Sequence, residues 1–573
     1  MSRKMKQHLK ILIPVALTIS VITACNKKLE EYNPSGATIE SLFNTPEGFE
    51  AGVNGIYSHN RLLYGKEEGY SFMESGTDIW TNAANNGGKT VNGINSTTPL
   101  TTYQGLVADN NNLNTNLWIP CYQGINECNT ALSKIESAKL APDRQKALDG
   151  EIHFLRAWYY WHLVETFGPI PMPTEPMTTI QTTATRTSVN DVYELIFSDL
   201  KTAMGELTPT ATDYGRVTLP VAEAFYARLS LTRGNWQEAS NYANKVIKSY
   251  KFSLLTKYSD LWDIKNEKNN EVVWALNYAS TYTLNGGGTN EGHTMFLMDY
   301  ISLPGMKTDV ANDLPATRWM PTLFLLNLFN ENDDARFAGS FKQTWIANNS
   351  ATLPKWTQAD ANQNPALAPL VGQNKFNVGD TAVFCSKYAV DDFQQQYTTA
   401  YRYKTYDIND MYDVNTGVPK DRFHYISLTK FNDPTRASEK ESNSARDVFM
   451  IRLAEMYMIG GEAQFKLSKL DSAAYFINAV RKRAAKPGHE GAMTVNASDI
   501  TLDFILDERA REFAGEQLRW FDLKRTNTLI SRVQLHNPDA ASYIKGYSVA
   551  RPIPLAQINA VTNKGEFLQN EGY

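Results

Sequence analysis

The sequence predicts a mostly α-helical protein, in which a rigid frame of paired helices carries a long, loop-rich insert. Three observations lead there. Long segments on either side of the middle place apolar residues at helical intervals. Two of them also repeat small residues where neighbouring helices would have to approach closely. Residues 271–440 change character, becoming aromatic, polar and rich in turn-forming residues.

The chain begins with a cationic head, Arg3, Lys4, Lys6 and Lys10, and an apolar run of 14 residues from Ile11 to Ala24. As a helix this run reaches only about 21 Å. A hydrocarbon core is ~30 Å thick, so the run is too short for a stable span, and Pro14 weakens it further. Charge, short apolar run and small residues together describe a secretory signal, expected at residues 1–24. Ile22-Thr23-Ala24-Cys25 resembles the lipobox of bacterial lipoproteins, in which cleavage leaves the cysteine as a lipidated, palmitate-bearing first residue. Residues 25–34 are then the lipidated Cys25 and a short polar tether. Acyl chains on one cysteine anchor firmly, at ~0.8 kcal/mol per buried CH₂.

In the N-terminal helical region, 35–270, Thr45-Pro46-Glu47 supplies the N-cap, first-turn proline and early acid of a first helix within 35–60. Residues 74–105 are rich in Asn, Gly and Thr and read as a long loop. The segments around 116–136 and 143–168 read as amphipathic helices. Ser188 caps another that ends near Leu207. In residues 221–250, Ala224, Ala227, Leu231, Ala239 and Ala243 keep close-packing intervals around a turn at Gly234. This resembles the tetratricopeptide helix pair. Residues 448–485 repeat the pattern with Ala454, Ala463, Ala473 and Ala474, inside a C-terminal helical region, 441–573. Arg481-Lys482-Arg483 reads as a solvated helix end, favoured by the dipole.

Removing residues 1–24 leaves 549 residues, enough for more than one core. The formal charge of −5 falls to −9 once the four basic residues of the head are lost, which argues against nucleic acid as a partner. Cys121 and Cys128, seven apart on one helix, would lie ~10 Å apart. That is beyond the reach of a bridge, so no disulfide is expected.

Several segments together resemble the SusD/RagB family of nutrient-binding outer-membrane lipoproteins of Bacteroidetes. They are "WIPCYQGINECNTAL", "EIHFLRAWYYWHLVETFGPIPM", "MPTLFLLNLFNENDDARF" with Pro321-Thr322 and Asp334-x-Arg336, and "ILDERAREFAGEQLRWFDLKRTNTL". "RPIPLAQINAVTNKGEFLQNEGY" follows to the terminus. The resemblance covers nearly the whole chain in the family's order. It implies a tetratricopeptide-like, SusD-like scaffold with a loop-rich ligand-binding insert. It further implies capture of oligosaccharide or another nutrient at the cell surface, beside a SusC-like TonB-dependent transporter in the outer membrane.

Sugar binders set an aromatic platform beside amides, because rings bury area rigidly and amides replace lost water contacts. The first Asn-rich loop offers Trp80, Asn82 and Tyr103, and the insert offers Tyr282, Asn285 and Trp319. The resemblance places ligand contacts in these two regions. Glu508, Glu512 and Glu516 share one helix face, but Glu508/Arg511, Arg509/Glu512 and Glu516/Arg519 pair opposite charges, so they read as a structural network rather than catalytic groups. No catalytic or metal-binding motif occurs, the eight histidines never cluster, and neither cofactor nor metal is expected. A pair of glycosidase carboxylates leaves no motif, so that reading stays open here. A peptide-binding member of the family, and a helical scaffold that binds no small ligand, are the alternatives to a glycan binder.

Overall fold

A computed structural model describes residues 43–85, 90–91, 94–95, 98–285 and 289–573. The expected signal, Cys25 and the tether lie outside the described residues. Helix α1 (Pro46–Ser58) starts as expected, with the Thr45 hydroxyl accepting the Gly48 N–H at 3.1 Å. Helix α2 (Glu67–Met73) leads into the first loop. Helices α3 (Ile119–Lys134) and α4 (Pro142–Phe167) follow. The second half of α4 departs from the amphipathic expectation. From Gly150 to Phe167 it is buried on nearly every side, because α3, α5 (Val189–Glu206) and the rings of Phe225, Trp274 and Phe521 all pack against it.

Helices α6 (Leu219–Thr232) and α7 (Trp236–Ser249) form the first small-residue pair. Their turn is made at Gly234, whose φ of 77° is left-handed. Helices α8 (Leu453–Lys466) and α9 (Leu470–Ala484) form the second. A Cβ on Gly461 would come within 2.7 Å of Ile477, so the bare backbone sets how closely α8 and α9 approach. Although some 200 residues separate them in sequence, α7 packs directly on α8, and the helical stack runs on as if uninterrupted. Helices α10 (Leu502–Phe513), α11 (Arg519–Arg525), α12 (Leu529–His536) and α13 (Leu555–Ala560) close the chain.

The short strands explain how the insert is attached. They include β1 (Trp80–Asn82), β2 (Val272–Leu276), β3 (Trp319–Pro321), β4 (Thr344–Ile346), β5 (Thr381–Cys385), β6 (Lys404–Tyr406) and β7 (Val448–Arg452). Strands β2 and β7 pair antiparallel, so the insert leaves and rejoins the frame at one ribbon. Strands β4, β5 and β6 form a small mixed sheet inside the insert. The insert has its own core around Tyr300, Trp345, Val383 and Tyr425. That core also takes in Tyr70, Ile79 and Trp80 from the first loop. Cys121, Cys128 and Cys385 are buried free thiols. No helix among the described residues is long and apolar enough to cross a membrane.

Helix α10 is held by a buried ion-pair network. Glu508 accepts from Arg336, Arg481 and Arg511 at 2.8, 2.5 and 2.8 Å. Glu512 accepts from Arg483, Arg336 and Arg452 at 2.5, 3.2 and 3.2 Å. Burial pushes the Glu512 carboxyl up, but Arg483, Arg452 and Arg336 outweigh it and hold it at about 2. Two expected pairings change partner. Arg509 turns to Asp522 and Arg519 to Asp78, which are better placed than the helix neighbours. Arg481 and Arg483 are not solvated as expected, because Glu508, Glu512 and Glu271 draw both inward.

Candidate functional site

The first loop is short of regular structure but densely pinned. After α2, the Glu74 carboxylate accepts the Trp80 indole N–H at 3.0 Å and the Gly515 N–H at 2.8 Å. The Asn537 amide donates to the carbonyls of Thr77 and Trp80. Asp78 sits between Arg519 at 2.5 Å and Arg532 at 2.7 Å. Burial raises the Asp78 carboxyl, yet these two guanidiniums bring it down to about 2. Strand β1 then pairs antiparallel with β3, setting Trp80 opposite Pro321 and Asn82 opposite Trp319. The two regions singled out in the sequence therefore meet.

Their aromatic residues do not form a platform. Trp80 and Trp319 are both 0 % exposed, which corrects their expected role. Trp80 packs against Phe296 at a ring distance of 4.6 Å, and Trp319 packs against both Tyr70 and Phe296. The Trp319 indole N–H donates to the Thr101 hydroxyl. An indole is the largest apolar group available, and the seam between the first loop and the insert takes both. Tyr103 is also buried, its hydroxyl donating to the Gly76 carbonyl at 2.9 Å. Asn285 is buried and closes its own turn, exchanging two hydrogen bonds with the Ala279 backbone. Tyr282 is 47 % exposed on that turn, and Asn82 is half-buried at the open end of the ribbon.

Beyond Asn82 the ribbon continues irregularly. The N–H groups of Ala83, Ala84 and Asn85 donate to the carbonyls of Arg318, Arg422 and Thr317. Arg422 donates to the Asn82 carbonyl at 2.7 Å and grips Asp539 with two bonds of 2.8 Å. Arg318 reaches Glu67 at 3.0 Å and the Asn85 carbonyl. Next to Arg422, Phe423 is 48 % exposed. Its backbone is fixed on both sides, with its N–H on Asp421 and its carbonyl accepting from Asp299. His424 stacks on Tyr406 at 4.4 Å. The result is a polar rim built from three separate stretches of chain, with the exposed Phe423 next to Arg422.

Sequence reading missed Phe423, Arg422 and Arg318. Residues 271–440 read as loop-rich, but no spacing marks one phenylalanine among them as exposed. The rim's carboxylates are poor proton donors. Burial raises Asp539, but Arg422 and Thr81 hold it below its ordinary range. Burial likewise raises Asp421, and the His424 contact more than reverses it. A glycosidic acid needs the opposite shift. Among the described residues, no group of three or more His, Cys, Asp or Glu side chains is placed to hold a metal ion.

Comparison with known proteins agrees with this architecture. The profile of the SusD family matches residues 270–573, and one described as starch-binding and associating with the outer membrane matches residues 49–232. SusD-like protein P25 of Formosa agariphila is 25% identical over 98% of this chain and 99% of its own. The starch-binding protein SusD of Bacteroides thetaiotaomicron is 24% identical over 75% of this chain and 73% of its own. A solved laminarin-binding SusD-like protein superposes with a TM-score of 0.61 at 20% identity, covering 92% of this chain and 99% of that one. Surface glycan-binding protein A from Bacteroides fluxus superposes at 0.63 with 18% identity, over 92% and 99%.

Proposed function

Because the chain belongs to the SusD family, we propose that it binds glycan at the bacterial surface and hands it to a TonB-dependent outer-membrane transporter. The relatives named for starch, laminarin and surface glycan support a carbohydrate ligand. The outer-membrane description of the N-terminal match supports the location. Lipid on Cys25 supplies the anchor, with the cell-surface face of the outer membrane as its place. A captured glycan cannot cross a bilayer alone, which is what calls for the transporter.

One observation carries the ligand site. The β1–β3 pairing brings the first loop and the insert together, and Phe423 stands exposed where they meet. Its ring offers an apolar face to the C–H side of a sugar. Arg422, Arg318, Asn82 and Asn85 of the same rim offer donors and acceptors for hydroxyls. The lowered carboxylates leave neither Asp539 nor Asp421 suited to be the general acid of a hydrolase.

The test is calorimetry of the purified protein against a panel of α- and β-glucan oligosaccharides, starting with maltoheptaose and laminarihexaose, then other neutral glycans. Phe423→Ala should weaken the bound glycan by ~1–3 kcal/mol, as loss of an aromatic anchor does. Its melting temperature should hold, because half the ring is already in water. Full affinity in Phe423→Ala would remove the rim as the site. Reducing ends released during incubation would replace binding by hydrolysis.

A further inference from the structure

Helices α7 and α9 both pack on α8, and a groove lies between them. It holds about 440 Å³, within the range of ligand-binding clefts, and shares no residue with the rim. Helix α7 lines it with Gln237, Asn241, Asn244 and Lys248. Their steps of four, three and four residues put all of them on one helix face. Helix α9 contributes Tyr475, which is 64 % exposed. Lys248 and Asp471 are the only charged residues of the lining, and their charges are opposite. Lys245 of α7 lies outside the groove, paired with Glu223.

Two polar members of the lining are deeply buried, Ser240 at 4 % and Gln464 of α8 at 8 % exposed. The Gln464 amide donates to the Ser240 hydroxyl at 2.6 Å. That bond uses one donor and one acceptor. The Gln464 carbonyl oxygen accepts from no protein group among the described residues, and the Ser240 O–H has no acceptor there. Polar side chains buried to this degree are normally satisfied, so a nine-tenths buried amide with a spare acceptor on a groove wall points to a ligand. Beside them, Gln237 donates to Asn241 at 2.8 Å, which fixes both side chains and leaves the Gln237 carbonyl and the Asn241 amide hydrogens unspent.

We propose that this groove is a second glycan-binding site, separate from the rim; the choice of ligand rests on the reading of the protein as a binder of neutral glycan. Amides and hydroxyls both donate and accept, as sugar hydroxyls do, and the groove sets four amides and a buried hydroxyl along its length. The Tyr475 ring supplies an apolar face for sugar C–H groups, as Phe423 does on the rim. With one charge of each sign, the lining selects no ion. Two sites let a long polysaccharide be held at two points. The second contact is then intramolecular, and retention of the polymer exceeds what either site gives alone.

Calorimetry with maltoheptaose and laminarihexaose, then the rest of the neutral glycan panel, counts the sites. Electrophoresis through gels containing amylopectin or laminarin reads retention by a polymer. The parent protein should bind two molecules of the accepted oligosaccharide. Phe423→Ala and Tyr475→Ala should each leave one site, and Asn244→Ala should weaken the groove site at least tenfold. Tyr475→Ala and Asn244→Ala should melt at the parent temperature. Polymer retention should fall in each aromatic variant and vanish when the two are combined. Binding indifferent to both Tyr475→Ala and Asn244→Ala would overturn the groove, and its loss in Phe423→Ala would leave the rim standing. Binding kept in Phe423→Ala but lost in Tyr475→Ala would support the groove and remove the rim instead. Silence across the whole panel would overturn both.

Discussion

Replacing Arg336 with Met tests whether the buried network holds the insert to the C-terminal helices. Arg336 is fully buried and donates to Asp334 at 2.7 Å, Glu508 at 2.8 Å and Glu512 at 3.2 Å. Charged hydrogen bonds of this kind contribute ~1.5–3 kcal/mol each. Simple addition overstates the loss, because Glu508 keeps Arg481 and Arg511, and Glu512 keeps Arg452 and Arg483. Asp334 has no other ion-pair partner among the described residues, so the uncompensated buried charge is chiefly its own. Breaking one such pair costs about 3–5 kcal/mol, and that is the expected loss. The pH dependence has a definite sign. Both glutamates titrate below their ordinary value of 4.5 in the fold, Glu512 at about 2. Their stabilisation is therefore complete above about pH 4.5 and is lost as pH falls towards 2. In Arg336→Met the acid unfolding midpoint should move up. Tryptophan fluorescence against urea at pH 7, and against acid without urea, reads both effects. Adding Asp334→Asn should restore part of the loss by removing the stranded charge. A double variant as unstable as the sum of the two singles, or an unmoved acid midpoint, would refute the reasoning.

Four other outcomes follow from the same contacts. Trp319→Ala and Trp80→Ala should each cost ~3–5 kcal/mol of stability, seen as a lowered melting temperature. A normal melting curve with lost glycan affinity would return them to the ligand site. Gly461→Val should destabilise by ~1–3 kcal/mol, since its Cβ would meet Ile477 at 2.7 Å; an unchanged urea midpoint would show that α8 and α9 separate freely. Cys25→Ala should release the protein from the outer-membrane fraction or stall its processing, and a variant that still fractionates with membrane would count against the anchor. Tagged protein extracted in mild detergent should bring down a β-barrel partner, and its repeated absence across detergents would weigh against the transporter.

The frame was legible because each of its signals is local. Thr45 and Ser188 cap the helices they precede, and both side chains accept the expected N–H. Gly234 and the small residues around it follow from the spacing of two touching helices. The site was legible only as a meeting of regions. Trp80 and Trp319 look like surface aromatics because each stands in a stretch that reads as loop, and what buries them is the pairing of two strands 239 positions apart. Arg481 and Arg483 look solvated for the same reason. Their partners, Glu508, Glu512 and Glu271, lie on other elements, and no window of sequence contains them all. Phe423 left no signal because exposure depends on what fails to cover a residue.

The pinning of the first loop also bears on the order in which the chain folds. Asp78 is held by Arg519 and Arg532, Glu74 by the Gly515 N–H, and the Thr77 and Trp80 carbonyls by Asn537, across separations of 441 to 460 residues. A chain made from its N-terminus holds these groups unpaired until its last tenth has appeared. Helix pairs such as α6 and α7 close on neighbours already present, whereas β1 waits for the end of the chain and for β3 together. The face built on β1 is thus a late product of folding, and truncated chains lacking α11 and α12 should keep much of their helix content while their first loop stays open to protease.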